Sequence, residues 1–144
     1  MKVLAIDTST SLLGIGLRTE ENYFEINQDV GLHHTENLLF EVDSLLHKGG
    51  ISVRDLHLIV VVKGPGSFTG LRIGLATAKG LSFGAEVPLV SIPTLDVYAF
   101  GCSLYPYKVV PVMDARKDRL YAAFYSEGGR EGDSLDIRPT GLIE

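Results

Sequence analysis

The chain has 144 residues and a formal net charge of −5. This length is enough for one domain with a well-packed core, or for a small domain and part of a second one. Hydrophobic residues make up 45% and charged residues 22%, as in ordinary globular proteins. The basic residues are scattered along the sequence. This argues against direct nucleic-acid binding by the chain alone, because phosphate contacts need clustered Lys and Arg. The single cysteine, Cys102, excludes an internal disulfide and fits the reducing cytoplasm.

The opening segment predicts an antiparallel meander of three strands. Residues 3–6 form an apolar run of strand length that ends in the polar turn 7–11. Residues 13–18 and 23–26 then predict the second and third strands, joined by short turns. No apolar run in the chain is long enough to span a membrane.

The next segment changes from strand to helix periodicity. Apolar residues recur at three- and four-residue steps from Leu38 to Leu46, and Gly49 and Gly50 end this helix. Ser52 and Asp55 have capping-box spacing. Residues 58–62 predict a central strand, followed by a helix to about residue 83, a strand at 87–92 and a helix at 94–100. This order predicts a ribonuclease-H-like lobe, a mixed sheet with flanking helices.

The opening pattern then recurs. An apolar run at 109–114 ends in Asp114, and a polar turn leads to another apolar run at 120–125. Asp7 and Asp114 therefore hold equivalent positions after two strands, although two unrelated hairpins would give the same pattern. We predict a first lobe at 1–104 and the start of a second, similar lobe at 105–144, which is incomplete or reduced.

A glycine-rich loop, residues 64–70, precedes the helix after the central strand. It does not match a phosphate-binding P-loop, because Thr69 stands where the second glycine is required and no lysine follows Gly70. Gly64 and Gly66 allow a sharp bend, and the following helix N-terminus offers free amide groups. A structural turn and an anion site both fit this pattern.

Small residues form two rows on the same helix. Gly70, Gly74 and Ala78 are spaced by four residues, and a second row is Ala76, Gly80 and Gly84. Glycine weakens a helix by about 1 kcal/mol relative to alanine, whereas small residues allow another backbone to approach. Packing on the chain's own sheet explains one row, and two rows favour contact with a helix of a partner subunit.

No catalytic or metal-binding pattern stands out. The four histidines form no pair at the three- or four-residue spacing that metal ligands on a helix need. Asp7, Asp96 and Asp114 have no neighbour in sequence that would form a nucleophile–base pair, and Cys102 fits a packing role.

Three segments together resemble the TsaB family. They are Ala5-Ile6-Asp7-Thr8-Ser9-Thr10, Lys63-Gly64-Pro65-Gly66-Ser67-Phe68-Thr69-Gly70-Leu71-Arg72-Ile73-Gly74, and Val112-Met113-Asp114-Ala115-Arg116. The resemblance implies an actin/hsp70-like fold and a non-catalytic part in threonylcarbamoyl-adenosine modification of tRNA beside the anticodon. The catalytic relative, TsaD, carries a His-x-x-x-His metal pair. The matching positions here are Thr94 and Tyr98, so we expect no catalytic residues and no bound metal.

The resemblance also implies partners and sites. The partners would be a TsaD-like catalytic subunit and a TsaE-like ATPase, with a homodimer in isolation and tRNA reached only through the complex. No cofactor would be required by the chain alone, although ATP or ADP would fit at the partner interface. Cleft-facing candidates for nucleotide contact are Asp7, Thr8, Ser9, Gly64, Gly66 and Asp114. Candidates for the partner interface are Gly70, Ile73, Gly74, Thr77, Ala78 and Leu81.

Two other functions stay open. An actin-like ATPase or kinase would hold a nucleotide between the hairpins at Asp7 and Asp114. A metal-dependent, glycoprotease-like hydrolase would need the histidine pair that Thr94 and Tyr98 replace.

Overall fold

The structure, a computed structural model, describes residues 1–29, 34–102, 109–115, 119–128 and 136–143, without the side chains of 34–37, 126–128 and 136–143. These residues form two compact units, Met1–Ile92 and Pro93–Glu144. The predicted lobe boundary between residues 104 and 105, and most of the predicted polar turn after Asp114, lie outside the described residues.

The first unit is built on a five-stranded mixed sheet. Its elements are β1 (Val3–Asp7), β2 (Leu12–Arg18), β3 (Tyr23–Asp29), α1 (His34–Lys48), a 3₁₀ turn (Val53–Asp55), β4 (Leu58–Val62), α2 (Phe68–Ala85) and β5 (Leu89–Ile92). The strand order is β3-β2-β1-β4-β5, with β1 antiparallel to β2 and parallel to β4. The predicted mixed sheet with flanking helices is confirmed.

Alternating side chains place the core of this unit on one face of the sheet. Leu4 and Ile6 of β1 are buried beside Leu17 and Ile15 of β2, their partners in the strand register. Successive strand residues point to opposite faces, so these four side chains share one face. The buried apolar residues of α1 pack into the same cluster; they are Leu38, Val42, Leu45 and Leu46.

The second unit joins a helix to a three-stranded antiparallel sheet. It contains α3 (Thr94–Gly101), β6 (Val112–Asp114), β7 (Leu120–Gly128) and β8 (Asp136–Ile143), in the sheet order β6-β7-β8. Its core cluster consists of Leu95 and Ala99 of α3 with Ala123 and Tyr125 of β7. The sequence did not predict β8, which contains Pro139 and lies at a sheet edge, where proline is tolerated.

In both units the first strand of the sheet ends in aspartate and pairs with the next strand in an antiparallel hairpin. Asp7 is paired with Gly14 across the β1–β2 hairpin, and Asp114 is paired with Leu120 across the β6–β7 hairpin. In each unit the second strand continues into a third antiparallel strand. The predicted recurrence of this pattern is confirmed, whereas the assignment of two related lobes stays a prediction.

Candidate functional site

The turn that follows β1 lies directly against the start of α2. The hydroxyl of Thr8 donates a hydrogen bond to the carbonyl oxygen of Gly70 at 2.8 Å. The backbone N–H of Ser67 donates to the carbonyl oxygen of Ser9 at 2.6 Å. The turn is held from within by Asp7, whose Oδ1 accepts from the N–H of Ser9 at 2.8 Å. The two segments that the sequence singled out separately are therefore one structural unit.

This contact explains three glycines of the loop and helix. A Cβ atom at Gly66 would lie 2.3 Å from the carbonyl oxygen of Ser9, and one at Gly70 would lie 2.2 Å from that of Thr8. A Cβ at Gly74 would lie 2.2 Å from Oγ1 of Thr8. Since these distances are far below van der Waals contact, all three glycines are needed for the turn to approach. The packing supports the interpretation of the loop as a structural turn.

The row Gly70, Gly74 and Ala78 is buried within the chain. Our prediction that this row faces a partner subunit is wrong, because Thr8 occupies the space that a partner helix would need. Ile73 and Leu81 are partly buried and pack against the chain's own core. Their assignment to an interface, with that of the half-buried Thr77, stays a prediction.

The other row of small residues faces outward. Ala76, Gly80 and Gly84 are exposed, and a Cβ atom at Gly80 or Gly84 would meet no heavy atom of the described residues within 4 Å. Large side chains flank the small ones along the same exposed face, with Phe83 88% exposed and Phe68 68% exposed. We call this face the outward stripe of α2; its residues are Phe68, Arg72, Ala76, Lys79, Gly80, Phe83 and Gly84.

The ends of α2 are fixed by local interactions. Ser67 caps the N-terminus, since its hydroxyl accepts from the N–H of Gly70 at 3.3 Å, and Glu86 ends the helix in the left-handed conformation with φ of 57°. The guanidinium of Arg72 lies 3.8 Å from the ring centroid of Phe68, a cation–π contact between residues one helical turn apart. This pair gives the outward stripe a cationic and aromatic end.

The residues predicted to contact a nucleotide fall into two groups. Thr8 and Ser9 are buried and Asp7 is partly buried, and the structure brings them together with Gly66. The hydroxyl of Ser9 is enclosed and has no hydrogen-bond partner among the residues that the structure describes. Gly64 adopts a positive φ of 110°, which fits the sharp bend. Asp114 is exposed and belongs to the second unit. Nucleotide contact by any of these residues stays a prediction.

The positions that match the TsaD histidines lie one turn apart at the start of α3. Thr94 is fully buried and Tyr98 is partly exposed. Among the described residues there is no group of three His, Cys, Asp or Glu side chains arranged to hold a metal ion. Thr94 and Tyr98 therefore place hydroxyl groups at the two positions that the resemblance matches with the TsaD histidines.

One partly buried polar pair was not predicted. The hydroxyl of Tyr125 on β7 donates a hydrogen bond to Oδ1 of Asp96 on α3. Burial, the hydrogen bond and the charge of Asp96 raise the pKa of Tyr125 well above its usual range. The two residues are 29 positions apart, so no local sequence pattern marks the pair.

A surface depression of about 390 Å³ lies elsewhere, at the turn between β2 and β3. Its lining residues are Arg18, Thr19, Glu20, Glu21, Asn22 and Tyr23. Thr19 and Asn22 bond to each other across this turn through backbone and side-chain atoms. The depression therefore does not include any residue that the sequence marked as a candidate site.

Comparisons with known proteins relate the chain to one family. The family model "TsaD: tRNA N6-adenosine threonylcarbamoyltransferase" matches residues 26–136. The chain is 36% identical over 126 residues to "tRNA threonylcarbamoyladenosine biosynthesis protein TsaB" of Bacillus subtilis (strain 168). It is 36% identical over 130 residues to the protein of the same name from Escherichia coli (strain K12). Each alignment covers 87% of this chain and 55% of the relative.

A solved structure extends the similarity to the whole fold. YeaZ from Pseudomonas aeruginosa superposes with a TM-score of 0.87 at 28% sequence identity, covering 99% of this chain and 66% of that chain. The sheet order and flanking helices define an α/β lobe of the ribonuclease-H-like, actin-like class. The chain belongs to the TsaB/YeaZ family, which is related to TsaD. It spans about half the length of the curated relatives it matches. None of the described helices is long and apolar enough to cross a membrane.

Proposed function

We propose that this chain is a non-catalytic partner of a TsaD-like enzyme in the threonylcarbamoyl-adenosine modification of tRNA beside the anticodon. Family membership supports the pathway, since the Bacillus and Escherichia relatives are named as biosynthesis proteins of this modified nucleoside. The observation that carries the non-catalytic role is the pair Thr94 and Tyr98 at the positions of the TsaD histidines. A hydroxyl and a phenol do not replace the two imidazoles that hold a transition metal.

The outward stripe of α2 is the surface we propose for the partner. Exposed phenylalanines at its two ends would anchor a partner helix, because buried aromatic side chains contribute strongly to interfaces. Ala76 and Gly80 between them, and Gly84 next to Phe83, would let the partner backbone approach closely. Arg72 would face an acidic group or a helix C-terminus of the partner. In isolation the same stripe would support a homodimer, with which the TsaD-like subunit competes.

The net charge of the chain favours contact with tRNA through a partner protein over direct binding. The net charge of −5 is unfavourable for a protein that holds tRNA through its phosphates. We therefore propose that the chain reaches tRNA only through the complex in the cytoplasm, together with a TsaE-like ATPase. We also propose that ATP or ADP binds at the interface with the TsaD-like subunit.

Reconstitution tests this function. The chain, the TsaD-like protein and the TsaE-like ATPase of the same organism would be purified, and tRNA modification measured with each protein omitted in turn. We expect the chain to co-purify with the TsaD-like protein and modification to require both. Gly80→Leu should abolish co-purification while the protein stays folded, because the space around Gly80 is open. Gly101→Leu, at an exposed glycine on α3, is the matched control and should bind normally.

Three results would contradict the proposal. The first is full modification activity when the chain is omitted. The second is nucleotide turnover by the purified chain alone, which would favour an actin-like ATPase or kinase. The third is stoichiometric metal coupled to hydrolysis, which would favour the glycoprotease-like alternative.

A further inference from the structure

Strand β3 forms one edge of the five-stranded sheet, with β2 on one side and no described strand on the other. It pairs with β2 along its whole length of seven residues, Tyr23–Asp29, without a register shift. Phe24 and Ile26 pack against the core of the first unit, so the strand is held in place from one face. Its outer edge therefore presents a regular row of backbone N–H and C=O groups.

The sequence of β3 lacks the usual protection of an edge strand. Proteins prevent edge-to-edge pairing with lysine, proline, bulges or very short edge strands. β3 contains no lysine, arginine, proline or glycine, and it is longer than β5, the four-residue strand at the opposite edge. Its charged residues are Glu25 and Asp29. The edge can thus accept a further strand, and the two acids restrict which strand fits.

Pairing of β3 with β3 of a second copy is limited to a few registers. Two copies related by a two-fold axis run antiparallel, and residues that lie opposite each other must point to the same face of the joined sheet. The axis therefore passes through a residue. An axis at Glu25 places this carboxylate opposite its own copy, and an axis at Asn27 places Glu25 opposite Asp29; both are unfavourable like-charge pairs. Registers centred nearer the ends of the strand pair less than half of it.

An axis at Ile26 pairs the whole strand and separates the acids. Glu25 then lies opposite Asn27 of the second copy. The side-chain amide of Asn27 carries two N–H groups, of which one bonds to Glu25 of its own strand, so the other can donate to Glu25 of the second copy. The end pair, Tyr23 with Asp29, also places an acid opposite an uncharged residue. Among the registers that use most of the strand, this one is self-complementary in charge.

We infer that the outer edge of β3 is an interface with a second copy of this chain, in which the two five-stranded sheets join into one continuous sheet about Ile26. The contact of a single pair of strands buries little surface, so the association should be weak and reversible. The edge of β3 and the outward stripe of α2 are different surfaces. The inference therefore stands or falls independently of the proposed role in tRNA modification.

Charge variants at Asn27 test the register. Each variant carries Gly80→Leu, which blocks association through the outward stripe, and dimerisation is measured by analytical ultracentrifugation over a range of concentrations. Asn27→Glu should weaken the dimer by about tenfold, because it creates two like-charge pairs with Glu25. Asn27→Lys should dimerise at least as tightly as the parent protein, since it makes the same two pairs attractive. In a register centred on Asn27, the new lysine would lie opposite its own copy and weaken the dimer.

The control for net charge is the same pair of changes at Ser91, which is exposed on β5; Ser91→Glu and Ser91→Lys should leave dimerisation unchanged. Hydrogen exchange adds a measurement that needs no substitution. In the unmodified chain the amides of β3 should exchange more slowly as the protein concentration rises, whereas those of β5 should not change. The inference is overturned if concentration does not protect β3, if Asn27→Glu and Asn27→Lys have the same effect, or if the changes at Ser91 act as strongly as those at Asn27.

Discussion

The hydroxyl of Thr8 donates a hydrogen bond to the carbonyl oxygen of Gly70 at 2.8 Å, across 62 positions of sequence. The bond places the turn after β1 in a groove on α2 that is formed by Gly70 and Gly74. Glycines in a loop before a helix often mark phosphate binding. Here Gly66 of the loop, together with Gly70 and Gly74 of the helix, leaves space for the turn after β1, so these glycines serve packing.

We predict that Gly74→Ala destabilises the protein by about 1–3 kcal/mol, the usual range for overpacking a filled site. The new Cβ would lie 2.2 Å from Oγ1 of Thr8, which outweighs the gain of about 1 kcal/mol in helix propensity. Chemical denaturation followed by circular dichroism would measure the change.

The same helix provides the matched control. Gly80→Ala introduces a Cβ that meets no atom of the described part of the chain within 4 Å, so it should stabilise the protein by up to about 1 kcal/mol. A double variant with Thr8→Ala should recover part of the loss caused by Gly74→Ala, since the clashing atom is then absent. Equal effects at Gly74 and Gly80 would show that Thr8 does not occupy the groove.

Ser9→Ala should leave the free energy of unfolding unchanged or increase it by about 1 kcal/mol. Within the described part of the chain the enclosed hydroxyl of Ser9 has no hydrogen-bond partner, and an unsatisfied buried polar group is unfavourable by about 1–3 kcal/mol. Thr8→Val is the contrasting variant, because it removes a hydroxyl that is bonded and should lose about 0.5–1.5 kcal/mol. A clear loss of stability in Ser9→Ala would mean that its hydroxyl has a bonding partner.

Asp55 should remain ionised to lower pH than an ordinary aspartate. Its Oδ2 accepts from the backbone N–H and the hydroxyl of Ser52, and these bonds lower the pKa of Asp55. Because the folded pKa lies below the unfolded value of about 3.9, the stabilisation is present above that value and is lost as pH falls through the folded pKa. NMR titration of the Asp55 carboxyl carbon would measure the shift.

The control for this titration is Ser52→Ala. It removes the hydroxyl and keeps the backbone donor, so the pKa of Asp55 should rise part of the way toward its ordinary value. An unchanged pKa in Ser52→Ala would show that the hydroxyl does not contribute.

Local patterns in the sequence predicted most elements of the first unit because each element carries its own periodicity. Residues 58–62 were predicted as a central strand and form β4 with the same bounds. The direction faced by Gly70 and Gly74 could not be predicted, because both rows of α2 have the same residue types and spacing. Only the contact with Thr8, which is remote in sequence, distinguishes the inner row from the outer one.

The second unit was predicted less completely for the same reason. Strand β8 contains Pro139 and Gly141, residues that disfavour strands, and the pairing with β7 includes a register shift between Phe124 and Tyr125. The formation of β8 therefore depends on its pairing with β7. The bond between Tyr125 and Asp96 likewise depends on tertiary packing that no short pattern encodes.

Tyr125→Phe should reduce the loss of stability at alkaline pH. Burial and the bond to Asp96 raise the pKa of Tyr125 in the folded protein, whereas an unfolded tyrosine ionises near pH 10. Above about pH 10 the unfolded chain therefore releases a proton that the folded chain retains, and the free energy of unfolding falls by about 1.4 kcal/mol per pH unit for this group. The stabilisation is fully present below pH 10 and declines toward the folded pKa. Urea denaturation at several pH values would show a shallower alkaline slope for Tyr125→Phe. Tyr121→Phe, which removes a partly exposed hydroxyl from the same strand, is the control, and equal slopes for the two variants would contradict the assignment.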